Sequence, residues 1–140
     1  MTQIVYTLGY TGRKLAEITR ALDDRDAILF DIRYSPRSRN PAYSKDYLQA
    51  TLKDRYVWVK DLGNVNYALL SPIKIANYAA GKARITATAK PVILMCVCEN
   101  AATCHRTVVA DLLIVGGLVT HKWPSATTSR TVYVTAVLIV

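Results

Sequence analysis

The sequence Pro91-Val-Ile-Leu-Met-Cys-Val-Cys-Glu-Asn-Ala-Ala-Thr-Cys-His-Arg106 joins the most apolar segment of the chain to its three cysteines, a histidine and an arginine. Residues 92–97 are all apolar rather than alternating, which is typical of a parallel strand buried on both faces. An apolar stripe at helical spacing follows from Val108 to Leu113, and it predicts a helix. A buried strand followed by a helix is the repeating unit of an α/β fold.

The same alternation of strand and helix runs through the rest of the chain. Apolar, β-branched segments predict further strands at residues 3–8, 27–32, 56–59 and 118–123. Helices are predicted after Thr11 and Gly12, from Ser44 to about Lys53, from Pro72 to about Ala80, and from a cap at Thr103 to Gly116–Gly117. The order indicates one Rossmann-like α/β domain over residues 1–140. We expect a mostly parallel sheet of about five or six strands with helices on both faces.

The loops that follow the strands are the expected location of a site. Right-handed crossovers bring all strand-to-helix loops to one edge of a parallel sheet, and ligands bind at that carboxyl edge. The four loops cover residues 9–13, 33–43, 61–71 and 98–106. We therefore expect their polar side chains to converge.

Composition and charge narrow the class of protein. A hydrophobic content of 51% describes an ordinary globular domain, and a net charge of +8 favours an anionic partner or simply solubility. We predict no membrane association, because no apolar run reaches the roughly 18–20 residues of a membrane span. Three cysteines without a secretory leader predict a reducing, cytoplasmic location. The tail, residues 124–140, is predicted to add a strand, and its exposed edge would allow a homodimer.

The end of the opening sequence is a candidate anion site. Unpaired N–H groups and the helix dipole favour an anion at a helix N-terminus, and His105 and Arg106 add donors there. Alternatively, Arg106 pairs with Glu99. Cys104 lies beside a histidine and an arginine, which lower the pKa of a thiol. Cys104 and His105 are therefore candidate catalytic residues, whereas Cys96 within a strand is expected to be a small apolar side chain.

Metal binding and a disulfide are two further possible roles for the cysteines of residues 96–106. Cys96, Cys98, Cys104 and His105 are zinc-ligand types, but a paired Cys-x2-Cys is missing. We predict no metal and no cofactor. A Cys96–Cys104 disulfide is sterically conceivable but disfavoured in a reducing compartment.

A basic loop from Arg33 to Lys45 forms the second candidate region. It contains Arg33, Arg37, Arg39 and Lys45 with no acid among them, interleaved with Tyr34 and Tyr43. Arginine forks match phosphate oxygens and tyrosine faces stack on bases, so this loop favours a phosphate-bearing ligand over a merely solvated surface. Asp31 precedes the loop and serves either as a base or, in the favoured interpretation, as an ion-pair partner of Arg33.

The loop Gly9-Tyr-Thr-Gly-Arg13 is a weaker third candidate. Its glycines permit close backbone approach, but it is neither a GxGxxG fingerprint nor a P-loop. Tyr10 and Arg13 are included as binding residues because the loop should face the others. His121 is predicted to be a packed or surface residue rather than a base.

These motifs together resemble the bacterial and archaeal domain-of-unknown-function family 488. The resemblance rests on Tyr6 to Arg13, Asp31 to Lys45, Tyr56 to Gly63 and Cys96-x7-Cys104-His-Arg106 in the same order, and it covers about residues 3–123. It implies a Rossmann-like, intracellular α/β domain and no agreed activity. Two departures are a short linker between the third and fourth strands and the tail beyond residue 123.

Three hypotheses for function follow. The first is binding of a nucleotide or a nucleic-acid strand through Tyr10, Arg13, Arg33, Arg37, Arg39, Lys45 and Arg106. The second is a thiol-dependent enzyme that uses Cys104 as nucleophile for sulfur or phosphoryl transfer, although the Cys-x5-Arg spacing of rhodanese and phosphatase loops is absent. The third is a structural or interaction module.

Overall fold

A central strand, Val92–Cys96 (β4), organises the sheet of this computed structural model, which describes residues 3–97, 103–115, 119–122 and 134–135. The other strands are Ile4–Gly9 (β1), Ile28–Asp31 (β2), Tyr56–Trp58 (β3), Val119–Lys122 (β5) and Val134–Thr135 (β6). The helices are Leu15–Arg25 (α1), Lys45–Leu52 (α2), Tyr78–Ala87 (α3) and His105–Val115 (α4), with short 3-10 turns at Pro41–Tyr43, Lys53–Arg55 and Lys60–Leu62.

The described strands are arranged in the order β3-β2-β4-β1-β5-β6. Pairing is parallel from β3 to β5, and β6 pairs antiparallel with β5 at the edge. The predicted α/β class with a mostly parallel sheet is confirmed. Among the described helices, each is too short or too polar to cross a lipid bilayer.

The alternation of side chains along β4 separates two apolar cores. Leu94 and Cys96 pack on one face with residues of α3 and α4, whereas Ile93 and Met95 pack on the other with α1 and α2. All five side chains of β4 are buried. The uninterrupted apolar run therefore reflects a strand covered on both faces, as the sequence indicates.

The neighbouring strands β1 and β4 form the topological switch point of the sheet. The chain leaves β1 through α1 on one face and leaves β4 through α4 on the other face, and the two crossovers lead to opposite sides of the sheet. Loops that diverge in this way open a crevice at the carboxyl edge. The loops stay connected at the crevice floor, where Tyr10 N–H donates to Cys96 O at 2.9 Å and Thr11 Oγ1 donates to Val97 O at 2.6 Å.

Helix starts agree with the sequence in one case and differ in another. Ser44 caps α2 as predicted, since its hydroxyl accepts from Tyr47 N–H at 3.4 Å. The helix predicted from Pro72 is wrong: α3 begins at Tyr78 because the Asn77 side chain accepts from Ala80 N–H at 3.2 Å. Residues before that cap form a loop that is closed by an Asn64–Ile75 bridge.

The predicted start of α4 can be compared with the structure, whereas its predicted end cannot. α4 begins at His105, so Thr103 lies two residues before the helix rather than at its cap. The expected stop at Gly116–Gly117 lies outside the described residues, as do Cys98, Glu99 and most of the tail.

Gly63 allows two loops to touch through their backbones. A Cβ at this position would lie 2.6 Å from Tyr34 Cα, closer than real Cβ contacts. The absence of a side chain is thus required for the loop after β3 to pack against the loop after β2.

Candidate functional site

Two cavities open at the carboxyl edge of the sheet. The first, called the basic cavity, has a volume of about 600 Å³ and lies between residues 10–13 and residues 37–43. The second, called the cysteine cavity, has a volume of about 350 Å³ and is lined by Arg33, Tyr34, Tyr67, Cys96, Thr103 and His105, among others. Val97, directly after β4, lines both.

The floor of the basic cavity is held rigidly by tyrosines. Tyr10 and Tyr43 stack with their ring centroids 4.2 Å apart, and both side chains are buried. The Tyr43 hydroxyl donates to Arg13 O at 2.8 Å, and Arg13 Nε donates to Gly9 O at 3.1 Å. Burial raises the pKa of Tyr43 from 10.0 to about 12, so the phenol stays protonated as a donor. These contacts fix the loop that presents Arg13.

The opposite wall of the basic cavity carries exposed cations. Arg37 and Arg39 are exposed, and within the described residues no hydrogen bond or ion pair involves their guanidinium groups. Arg13, half-buried, completes a group of three arginines. None of the described lining residues is acidic. Gly12, at φ 78°, adds backbone that a ligand can approach closely.

Arg33 belongs to a buried network at the end of β2. Its Nε donates to Asp31 Oδ1 at 2.8 Å and its terminal nitrogen donates to Asp31 Oδ2 at 2.5 Å, while Tyr56 Oη donates to Oδ2 at 2.6 Å. Arg33 and Asp31 are 3% and 0% exposed. The ion pair favoured for Asp31 is therefore present, and it satisfies both charges of the pair.

The same network changes the acidity of its members. Burial alone lowers the pKa of Arg33, but the hydrogen bonds and the charge of Asp31 outweigh burial and raise it above the ordinary value. Burial, followed by the neighbouring Asp31 carboxylate, raises the pKa of Tyr56 far above its usual range. The network therefore keeps Arg33 charged and Tyr56 neutral at physiological pH.

A compact cluster of Cys96, Cys104 and His105 lies where β4 ends and α4 begins. The two Sγ atoms are 2.7 Å apart, and His105 Nδ1 lies 4.0 Å from Cys104 Sγ. The imidazole Nε2 lies 2.8 Å from Ile32 O. Because a carbonyl only accepts, Nε2 carries the proton, which leaves the Nδ1 lone pair on the side of the sulfurs in the neutral ring. Both cysteines are 2% exposed.

Comparison with known proteins finds a family similarity over part of the chain. Residues 14–71 match the family model described as Domain of unknown function DUF488. Over these residues the chain is similar to that family. Neither a search of curated proteins nor a search of solved structures found a match. The match confirms the family resemblance over α1, the Asp31–Arg33 pair and the basic loop, whereas the cysteine motif lies beyond the matched residues.

The predicted site residues fall into three groups. Tyr10, Arg13, Arg37 and Arg39 come together around the basic cavity, and two of them, Arg37 and Arg39, lie within the residues that match the DUF488 model. Cys104 and His105 come together with Cys96.

The remaining predicted residues lie apart from the basic cavity. Arg33 is held by Asp31 and faces the cysteine cavity. Lys45 is held with its Nζ 4.8 Å from the centroid of the Trp58 ring and lines a neighbouring surface depression with Arg37. Arg106 is 4% exposed and lines neither of the two cavities.

Several residues of the site are not among the site residues predicted from the sequence. Tyr56 reaches Asp31 because β2 and β3 pair in parallel, a register that the sequence does not specify. The Ile32 carbonyl orients His105 across the sheet. Asn40 lines the basic cavity and caps the turn Pro41–Tyr43, and its position directly before a proline could have indicated a turn.

Proposed function

We propose that this protein binds a phosphate-bearing ligand, either a nucleotide or a nucleic-acid strand, in the basic cavity. The observation that carries the proposal is the group of Arg13, Arg37 and Arg39 around a cavity with no acid among its described lining residues. The exposed guanidinium groups of Arg37 and Arg39 have no acid among the described lining residues, so they repel one another and an anion removes that repulsion. The cavity also adjoins the switch point between β1 and β4, where ligands of open α/β sheets bind.

The chemistry of the cavity favours phosphate over other anions. Guanidinium forks donate two parallel hydrogen bonds to phosphate oxygens, and three of them supply more donors than one carboxylate accepts. Base stacking is less well supported, because Tyr10 and Tyr43 already stack on each other and are buried. Recognition through phosphate, rather than through the base, is therefore the proposed mode.

Binding of defined probes to the full chain tests this proposal. We expect inorganic pyrophosphate, a mononucleotide or a short single strand to bind at low salt, and Arg37→Ala or Arg39→Ala to weaken binding about ten- to hundredfold. Arg84→Ala on α3 is the matched control, since it removes the same charge from a residue outside the basic cavity. Undetectable binding of all three probes, or an equal loss with Arg84→Ala, would overturn the proposal.

Salt dependence separates the two ligand classes. A nucleic-acid strand contacted at several phosphates should lose about 0.7–0.9 log units of affinity per contact for each decade of salt, and each arginine removed should reduce that slope by about one contact. A mononucleotide that binds as tightly as the strand would indicate a nucleotide pocket instead.

The alternative of a thiol-dependent enzyme is less well supported. His105 Nδ1 is oriented towards Cys104, as a general base would be, but the separation is 4.0 Å and Cys104 is 2% exposed. A nucleophile must reach its substrate, so this burial favours a structural or ligand-holding role. Fast alkylation of Cys104 alone in the folded protein would restore the enzyme hypothesis.

A further inference from the structure

The geometry points to a metal site: Cys96, Cys104 and His105 hold a thiophilic divalent cation of the zinc class at the junction of β4 and α4. Their ligand atoms, two Sγ and one imidazole nitrogen, all lie within 4.8 Å of one another. Cys96 is the last residue of β4, Cys104 directly precedes α4 and His105 is its first residue, so a cation would join the end of the central strand to the start of α4. This inference is independent of the basic cavity and of its ligand.

The donor set matches the chemistry of zinc. Two cysteine thiolates and one histidine are a ligand set that zinc accepts, with a fourth position left for water or substrate. Two thiolates cancel the double charge of the ion, so the buried cluster would carry no net charge. The two thiol protons leave to solvent when the ion binds, and no redox partner is needed.

The distances require only side-chain adjustment. Zn–S bonds of about 2.3 Å in a tetrahedral site place two sulfurs about 3.8 Å apart, and a sulfur and a nitrogen about 3.6 Å apart. The corresponding separations here are 2.7 Å between the sulfurs and 4.0 Å between Cys104 Sγ and His105 Nδ1. Shifts of about 1 Å therefore convert the cluster into a coordination sphere.

His105 already has the outer contact that metal-binding histidines use. A ligating imidazole usually donates its second N–H to a carboxylate or a backbone carbonyl, which fixes both tautomer and ring orientation. Here Nε2 donates to Ile32 O at 2.8 Å, and Nδ1 lies on the side of Cys104 Sγ, 4.0 Å away. The burial of Cys104 that disfavours a nucleophile is compatible with a metal ligand.

The cysteine cavity supplies access and the fourth ligand. Cys96 and His105 both line this cavity of about 350 Å³, so an ion can enter from it and a water molecule or small anion can complete the coordination. Arg33 lines the same cavity and is already neutralised by Asp31, which limits its repulsion of a cation.

Cobalt substitution in the full chain under reducing conditions is the direct test. We expect one Co²⁺ per chain and a sulfur-to-cobalt charge-transfer band, with Zn²⁺ displacing the cobalt. A reduced, folded wild-type chain that takes up neither ion overturns the proposal, whatever the variants do. So does a chain in which Cys96 and Cys104 resist metal and instead oxidise to a disulfide, seen as two thiols lost on titration.

Variants assign the ligands. Cys96→Ser, Cys104→Ser and His105→Ala should each weaken Zn²⁺ binding at least a hundredfold in competition with a chromophoric chelator. His121→Ala is the matched control for the other histidine of the chain and should leave the affinity unchanged. If a serine variant fails to fold, the loss of the charge-transfer band after alkylation of both thiols in the wild-type chain reports the same point. Equal losses with His105→Ala and His121→Ala would contradict the assignment.

Discussion

Arg33 and the pair Arg37 and Arg39 lie within seven residues of one loop, yet they occupy opposite environments. Arg33 is 3% exposed and donates to both oxygens of a buried carboxylate. Arg37 and Arg39 are exposed around a cavity with no acid among its described lining residues. The first arginine is committed to the folded structure, whereas the other two are available to a ligand.

Arginines that are close in sequence therefore do not all belong to one binding site. The donors of Arg33 are satisfied within the fold, and replacing Asp31 as its partner would cost the free energy of a buried ion pair. Arg37 and Arg39 can bind an anion without first losing an ion pair to a described residue. Binding energy should therefore come from the exposed pair and stability from the buried network.

Breaking the buried Asp31–Arg33 pair should reduce stability more than any other change considered. Asp31→Asn leaves the Arg33 charge uncompensated in the core, so we expect the free energy of unfolding to fall by about 3–5 kcal/mol. Urea denaturation followed by circular dichroism measures the change. A loss below about 1 kcal/mol would mean that Arg33 escapes to solvent, and the contrast with Arg37 would no longer hold.

A smaller loss is expected when the third member of the network is truncated. Tyr56→Phe removes the hydrogen bond to Asp31 Oδ2 but keeps the ion pair, so the unfolding free energy should fall by about 1.5–3 kcal/mol. Tyr47→Phe is the control, because Tyr47 is exposed on α2. If both variants lose the same amount, the Tyr56 hydroxyl does not support the network.

Tyr43 lines the basic cavity, and the effect of replacing it on stability should depend on pH. The pKa of Tyr43 is raised by burial from 10.0 to about 12 in the folded chain. Because the pKa is higher in the folded than in the unfolded chain, the neutral hydroxyl contributes fully to the free energy of unfolding below pH 10.0. That contribution is lost as the pH rises to about 12. The stability difference between wild type and Tyr43→Phe, about 1 kcal/mol at neutral pH, should therefore shrink over that interval. A difference that stays constant from pH 9 to 12 would contradict the burial of this hydroxyl.

The exposed arginines should have the least influence on stability, and this distinguishes a binding role from a structural one. Arg37→Ala and Arg39→Ala should each change the unfolding free energy by no more than about 0.5 kcal/mol without ligand, because neither guanidinium has a described partner. The same variants should lose the stabilisation that a saturating phosphate-bearing probe gives to the wild type. Thermal unfolding with and without the probe measures both quantities. A large loss in the absence of ligand would place these arginines in the structural network as well.

Much of the fold can be predicted from local patterns, because a strand buried on both faces has an uninterrupted run of apolar residues. The apolar run of β4 and the Ser44 cap of α2 are examples in which a few neighbouring residues determine the structure. The start of α3 does not follow in the same way, since the sequence predicts it at Pro72 whereas Asn77 caps it. The residues between them form a loop that the Asn64–Ile75 bridge closes.

The site is less predictable because it depends on contacts between distant residues. The sequence indicates which loops carry cations, but not that Arg33 turns inward to Asp31 while Arg37 turns outward. It also gives no sign that the Ile32 carbonyl reaches His105, seventy-three positions away. Such pairings are set by strand order, and strand order is fixed only when the whole sheet forms.

The close approach at Gly63 has a consequence for anyone who redesigns this protein. Tyr34 forms part of the wall of the cysteine cavity, and its backbone rests directly on the position where a Gly63 side chain would stand. A single added methyl group there would lie 2.6 Å from Tyr34 Cα, so the backbone of that wall would have to move. The shape of the cysteine cavity thus depends on a residue that is not among those lining it.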